Sequence, residues 1–189
     1  MANATDKNTD REVPLEKKLD DLYDLIDGID IAMLTTHALD GSLVSRPLQT
    51  QKRTADVDLW FMTTTDTHKL DELRANPEVN VSYYKNSSRE WVSVSGRAFI
   101  TQERTKIRNL YKPDWKAWLE DKGGERNGGP DDPRIALIEV EAKSVTYMKS
   151  DTPRAVAMFK VMKALATGQP PKIGSVRHLD GGELEGNAR

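Results

Sequence analysis

The feature that most constrains this chain is a succession of short β-rich runs separated by tight-turn chemistry. Ile29 to Thr36 is apolar and β-rich, Leu39-Asp40-Gly41-Ser42 follows, and Leu43 to Lys52 alternates. Asp-Gly supplies the left-handed backbone that a hairpin turn requires, so the second run returns antiparallel to the first. Ala55-Asp56 makes another turn into Val57 to Thr64. Val79 to Tyr84, a turn over Lys85 to Arg89, a long run from Trp91 to Thr101 and a last run from Arg134 to Lys149 complete the series. Gly96 lies inside the long run, where a glycine marks a bulge or bend of the kind barrel closure needs. About six strands joined mainly by hairpins is not a βαβ pattern. It predicts a mainly β, α+β fold: a small antiparallel barrel with peripheral helices at its ends and crossovers.

Helical periodicity supplies those helices. Pro14 opens one whose apolar stripe is Leu15, Leu19, Leu22, Leu25 and Ile26, with Lys17, Lys18, Asp20, Asp21 and Asp24 largely on the other side and Gly28 at its end. Thr67 to Ala75 is a short helix with Leu70 and Leu73 inward, stopped by Asn76-Pro77. Glu103 to Leu119 reads as helix interrupted near Pro113 and carries Tyr111, Trp115 and Trp118. Asp121 to Pro133 holds four Gly and two Pro, the composition of a flexible exposed loop. Asp151 or Thr152 caps a final helix with Pro153 at its first position, Gly168 just past its end, and Val156, Phe159, Met162 and Leu165 as its buried face. Residues 1–13 read as a disordered tail, 14–168 as one domain and 169–189 as a flexible polar tail.

Bulk properties narrow the function classes. Lys and Arg total 28 against 30 Asp and Glu, a net charge of -2, which gives no electrostatic case for a nucleic-acid partner. The 189 residues contain no cysteine, so there is no disulfide framework, thiolate metal site or redox thiol. The polar N-terminus lacks a signal-peptide core, and no apolar run approaches the ~18 residues of a membrane span. A cytoplasmic protein is expected, in which Asn3-Ala4-Thr5 and Asn86-Ser87-Ser88 match the glycosylation pattern by chance.

Two neighbouring segments carry the candidate chemistry: Ser45-Arg46-Pro47-Leu48-Gln49, and Phe61-Met62-Thr63-Thr64-Thr65-Asp66-Thr67-His68-Lys69. The first lies within a strand. The second passes from a strand into a helix through a cluster of hydroxyls that ends in a cation. Arg offers a forked, permanently charged donor set, and a helix N-terminus offers open amides, so the two segments together read as a phosphate cradle. Asp66 is the expected cap of that helix. The alternative is that Thr-rich strand ends are ordinary, Lys69 is a solvated charge and Arg46 an outward strand residue. Other chemistries have no motif here. There is no Gly-x-Ser-x-Gly elbow, no Gly-x-Gly-x-x-Gly or Walker loop, and His37, His68 and His178 lack metal-ligand spacing, so no metal site is expected.

The order of these segments resembles a known family. Arg46-Pro47-Leu48, the Thr-rich turn leading to Lys69, Asn76-Pro77-Glu78-Val79 and Trp91-Val92-Ser93-Val94-Ser95-Gly96-Arg97-Ala98 are arranged as in the pyridoxamine phosphate oxidase-like FMN-binding split barrels, in particular their bacterial general stress protein branch. The likeness runs from about Leu15 to Gly168 and takes in Gly129-Pro130-Asp131-Asp132-Pro133 and Lys163-Ala164-Leu165-Ala166-Thr167-Gly168. It implies an antiparallel split β-barrel that forms a homodimer with FMN sites at the subunit interface. By resemblance, Arg46, Thr64, His68 and Lys69 hold the phosphate, and Pro47, Leu48, Gln49, Phe61, Met62 and Thr63 line the flavin ring. Trp91, Trp115 and Trp118 are candidate walls of the pocket closed by the partner, with aromatic core or dimer packing as the alternative.

The implied activity is flavin-dependent oxidoreduction of a small molecule, or flavin binding without turnover in a stress response. FAD is admissible beside FMN, and another ligand such as haem or a deazaflavin is a third possibility. Two departures mark the chain off from the family's vitamin B6 oxidases and from the stress branch. Arg177 and His178 fall in the polar tail rather than in a pyridoxal phosphate-binding strand region, and Met148 follows Tyr147 where an aromatic residue is expected.

Overall fold

A computed structural model describes residues 12–51, 59–150, 152, 154–169, 171 and 174–185. The expected N-terminal tail up to residue 11, the Ala55-Asp56 turn, Asp151 and Pro153 lie outside the described residues.

The strands are β1 (Ile31–His37), β2 (Leu43–Gln49), β3 (Leu59–Thr64), β4 (Glu78–Lys85), β5 (Glu90–Thr101), β6 (Ile135–Lys149) and β7 (Ser175–Leu179). All pairings are antiparallel, in the order β2-β1-β4-β5-β6-β3 with β7 added beside β6. The β1–β2 connection is the expected hairpin: Gly41 has φ 86°, and the Asp40 carboxylate accepts hydrogen bonds from the Ser42 amide and hydroxyl. The two edge strands of the path meet beyond the end of β2. Thr50 bridges Phe61, and the Gln51 amide donates to the Trp60 carbonyl at 2.8 Å. The sheet thereby curls into a split barrel. β5 carries an irregularity where its register with β6 shifts between Ser95 and Gly96. A Cβ at Gly96 would lie 2.4 Å from the Glu141 carbonyl oxygen, so only glycine lets the two backbones approach this closely.

Alternation along each strand sorts side chains between two cores. Ala32, Leu34, Phe61, Val81, Val94, Ile138 and Tyr147 fill the barrel, which α1 (Leu15–Asp27) stoppers with Leu19, Leu22, Leu25 and Ile26. On the other face of β3 and β6, Trp60, Ile135 and Leu137 pack under Ile107, Trp115 and Leu119. Ile107 belongs to α3 (Arg104–Leu110) and Trp115 to a 3-10 turn over Pro113–Trp118, the break coming where proline was expected to make it. The Gly-rich loop that follows is anchored by a buried pair. Asp132 accepts hydrogen bonds from the Gly128 amide and the Arg134 guanidinium, and Arg134 also donates to the carbonyls of Glu120 and Arg126. Those Arg134 hydrogen bonds hold the Asp132 carboxyl far below the usual carboxylate range.

The structure departs from the sequence reading in three places. Beyond Pro170 the chain is not only tail: β7 pairs with β6, and α5 (Gly181–Glu185) follows it. Arg177 of β7 is buried and meets Asp21 of α1, and Lys18 of α1 binds Glu183 of α5 at 2.9 Å. Asp21, expected on the solvent side of α1, is therefore buried at 4% exposure, because an arginine from the far end of the chain supplies its counter-charge. Finally, the apolar side chains of α4 (Arg154–Thr167) face outward. Val156, Phe159, Met162 and Leu165 are all exposed, with no element among the described residues laid over them. Gly168 ends that helix in the left-handed conformation, φ 67°, as expected.

Candidate functional site

The β1–β2 register places Leu34 opposite Arg46 and Met33 opposite Pro47. Facing residues of an antiparallel pair share one side of the sheet. Arg46 and Leu48 therefore lie on the side of buried Leu34 and Ala32, while Pro47 and Gln49 lie on the opposite side with exposed Met33 and Ile31. In β3 the same alternation puts Phe61 and Thr63 inward and Met62 and Thr64 on the other face.

At the inner rim of the barrel, β1, β2, β3 and α2 (His68–Ala75) bring five polar side chains together. The Arg46 guanidinium donates through Nη1 to Glu72 Oε2 at 2.7 Å and to Thr36 Oγ1 at 2.8 Å, and through Nη2 to Glu72 Oε1 at 2.6 Å. Thr36, itself buried, donates to Glu72 Oε2 at 2.7 Å. Lys69, from the first turn of α2, turns inward and donates to Thr63 Oγ1 at 2.9 Å. No side chain caps the first turn of α2. The residue at its N-cap is Thr67 rather than Asp66, and the Thr67 hydroxyl donates to the Thr64 carbonyl at 3.2 Å. Asp66 is exposed and accepts from Thr65 Oγ1.

The electrostatics of this cluster favour an anion. Burial pushes the Lys69 ammonium below its ordinary pKa, the Arg46 charge pushes it the same way, and Glu72 only partly opposes them. Hydrogen bonds from Arg46 hold Glu72 below the usual carboxylate range, so it is ionised at neutral pH. With Glu72 against Arg46, the cluster carries one net positive charge, located at a buried ammonium whose one side-chain partner among the described residues is the neutral Thr63 hydroxyl. A buried cation of this kind is costly without an anionic partner. The donor set suits a phosphate: a buried ammonium, an Arg fork, a hydroxyl and an uncapped helix start.

Of the residues singled out from the sequence, Arg46, Lys69 and Thr63 are brought together. His68 is exposed one residue from Lys69, and the Thr64 side chain points to the other face of β3. Phe61 is fully buried in the barrel core, Leu48 is half-buried on the inner side, and Met62 packs against the second core. Trp91 is half-buried on β5, opposite Tyr84 on one side and Met148 on the other. Trp115 is core, edge-on to Tyr111 at 5.6 Å, whereas Trp118 is 78% exposed. Arg177 is taken up by Asp21, and His178 Nδ1 lies 3.1 Å from the Thr146 hydroxyl. Thr36 and Glu72 were missed. The available signal for Glu72 was its position between Leu70 and Leu73, one helical turn from Lys69, on the side of α2 that must face the barrel.

The chain is similar to known proteins along most of its length. Residues 17–172 match the family described as pyridoxamine 5'-phosphate oxidase like. The chain is 33% identical to protein bli-3 of Neurospora crassa over 181 residues, which are 94% of this chain and 87% of that protein. Its fold is similar to that of general stress protein 26 from Bacillus anthracis, with TM-score 0.58 and 22% identity over 68% of this chain and 91% of that one. It is also similar to the general stress FMN/FAD binding protein of Xanthomonas citri, with TM-score 0.56 and 22% identity over 69% and 88%.

Proposed function

This chain belongs to the pyridoxamine 5'-phosphate oxidase-like family, and on that premise we propose that it binds FMN, with the phosphate at the Arg46–Lys69 rim, as a homodimer. The observation that carries the proposal is the buried Lys69 ammonium beside Arg46, with the neutral Thr63 hydroxyl as its side-chain partner among the described residues. A phosphate supplies the missing anion. Arg46 and Lys69 bind it through charge, and the start of α2, with the Thr63 hydroxyl, orients it. The flavin ring lies along β2 and β3, where the backbone of Pro47 to Gln49 and of Phe61 to Thr63 supplies polar contacts. FAD fits the same cradle wherever the rim is open to solvent.

A second copy of the chain closes the pocket. The outer face of β1 and β2 leaves Ile31 and Met33 exposed beside Pro47 and Gln49, an apolar surface suited to a partner subunit. Trp91 and Trp118 are the candidate walls with accessible ring surface, and Trp115 is a packing residue of the second core.

Bound flavin would supply hydride and electron transfer, and the protein's part is to bind, orient and shield it. The resulting function is flavin-dependent oxidoreduction of a small molecule. One feature favours a second reading, flavin binding without turnover: Pro47, Leu48, Gln49, Phe61, Met62 and Thr63 include no acid–base side chain.

The test is the absorption spectrum of the purified protein after excess FMN and gel filtration, repeated for Arg46→Ala/Lys69→Ala. A co-eluting flavin at about one per subunit, lost in a variant that stays folded and dimeric, is the expected result. Unchanged flavin retention in the variant would sink the site. NADH and NADPH oxidation by the loaded protein against a panel of acceptors then separates turnover from binding alone.

A further inference from the structure

The Arg46 guanidinium has two usable edges, and the structure shows which one is already taken. A guanidinium carries five N–H donors in a fixed plane. Glu72 receives one from Nη1 and one from Nη2, and Thr36 receives the second from Nη1. What remains is the Nε–H together with the second Nη2–H, which form the adjacent edge of the fork and have no partner among the described residues. These two parallel donors match the spacing of two phosphate oxygens.

We infer that Glu72 is a positioning residue of the phosphate cradle: it clamps the end of the Arg46 fork so that the Nε–Nη2 edge is turned to a phosphate oxyanion beside Lys69. This rests on the phosphate reading above and adds to it the geometry of recognition. Burial divides the two partners as the role requires. The Glu72 side chain is 8% exposed and the Arg46 side chain 29%, so the carboxylate is the more buried partner and the guanidinium the more open one. Thr36 fixes the clamp from a third side, since its hydroxyl accepts from Arg46 and donates to Glu72. An arginine free to rotate would meet a phosphate as a diffuse charge. A clamped one meets it as a bidentate donor, and the free energy of ordering the side chain is already met before the ligand arrives.

Glu72→Gln keeps the shape and removes the charge, and its amide nitrogen now faces guanidinium donors. The measurement is the affinity of folded wild-type and Glu72→Gln protein for FMN and for riboflavin, which lacks the phosphate, with inorganic phosphate as competitor. The expected result is a fall in FMN affinity of about tenfold or more with riboflavin affinity unchanged, a split that general loosening of the barrel would not produce. Equal or tighter FMN binding would overturn the inference, because Glu72 would then be a bystander or a competitor for Arg46. If Glu72→Gln does not fold, nitrogen NMR of Arg46 in the wild-type protein decides. The Nε–H resonance should shift on adding FMN or inorganic phosphate but not riboflavin, and an unmoved resonance refutes the assigned edge. Wild-type protein that retains neither flavin removes the phosphate reading itself. Wild-type protein that binds FMN while Glu72→Gln binds it equally well removes only the role of Glu72.

Discussion

Asp21 on the first helix and Arg177 on the last strand form a buried ion pair that joins positions 156 residues apart in the chain. Lys149 and Lys17 add further cations to the same carboxylate, and the Tyr147 hydroxyl, which donates to the Lys18 carbonyl, is a neighbour of Arg177. The pair ties β7 to the helix that stoppers the barrel, so the C-terminal segment is part of the domain's architecture.

Removing one member of such a pair leaves the other charge buried and uncompensated. Asp21→Ala is expected to cost about 3 kcal/mol in urea unfolding. The amides of Ser175 to Leu179 should lose hydrogen-exchange protection well beyond the global change, since that strand lies at the end of the sheet beside β6. Uniform protection in the variant would show that β7 is held by its ladder alone.

The same pair sets an acid limit. Burial alone would raise the Asp21 carboxyl, but hydrogen bonds from Lys149, Arg177 and Lys17 outweigh it and lower it from 3.8 to about 2. A carboxyl depressed on folding stabilises fully above its unfolded value. The contribution, about 2 kcal/mol, is therefore present above pH 4 and lost as the pH falls towards 2. Asp132, also depressed, acts in the same direction. The difference between wild type and Asp21→Asn across this window isolates the Asp21 share, and it should shrink as the pH is lowered.

Lys69→Met separates binding from stability. The methionine removes a buried ammonium with one side-chain hydrogen bond, so the melting temperature should hold or rise. FMN affinity should fall roughly a hundredfold, the cost of about 3 kcal/mol for losing a desolvated charge contact. A destabilised variant with intact FMN affinity would contradict both halves of the argument.

Gly96→Ala tests the irregularity in β5. Its Cβ would meet the Glu141 carbonyl at 2.4 Å, and backbone on both sides must shift. A loss of about 2 kcal/mol is expected, with the register of β5 and β6 disturbed around the bulge.

The two tryptophans near the Gly-rich loop should behave oppositely. Trp115→Ala opens a cavity in the second core and is expected to cost about 3–5 kcal/mol. Trp118→Ala, at an exposed site, should change stability by less than about 0.5 kcal/mol. If its ring walls the partner's pocket, bound-flavin fluorescence should rise in that variant, which a spectrum of the loaded dimer reads directly.

Local rules were enough for much of this molecule. Alternation and turn chemistry placed β1 to β6, because Asp40-Gly41 and the period-2 apolar pattern act over a few residues and leave few conformations open. That Arg46 and Lys69 come near one another was legible because both stand at strand or helix positions that local pattern fixes. Three features were decided only by tertiary structure. Asp21 is buried because Arg177 arrives from the other end of the sequence, and no local signal in α1 marks that. The apolar stripe of α4 has helical spacing, but spacing cannot say whether a neighbour exists to cover it, and within this chain Phe159 and Leu165 remain exposed. The sequence puts Glu72 between the inward Leu70 and Leu73, but names no partner for its carboxylate. Its role appears once β1, β2 and α2 converge and the barrel rim turns that carboxylate onto the Arg46 fork, since the worth of a charge depends on the partners and burial the fold gives it.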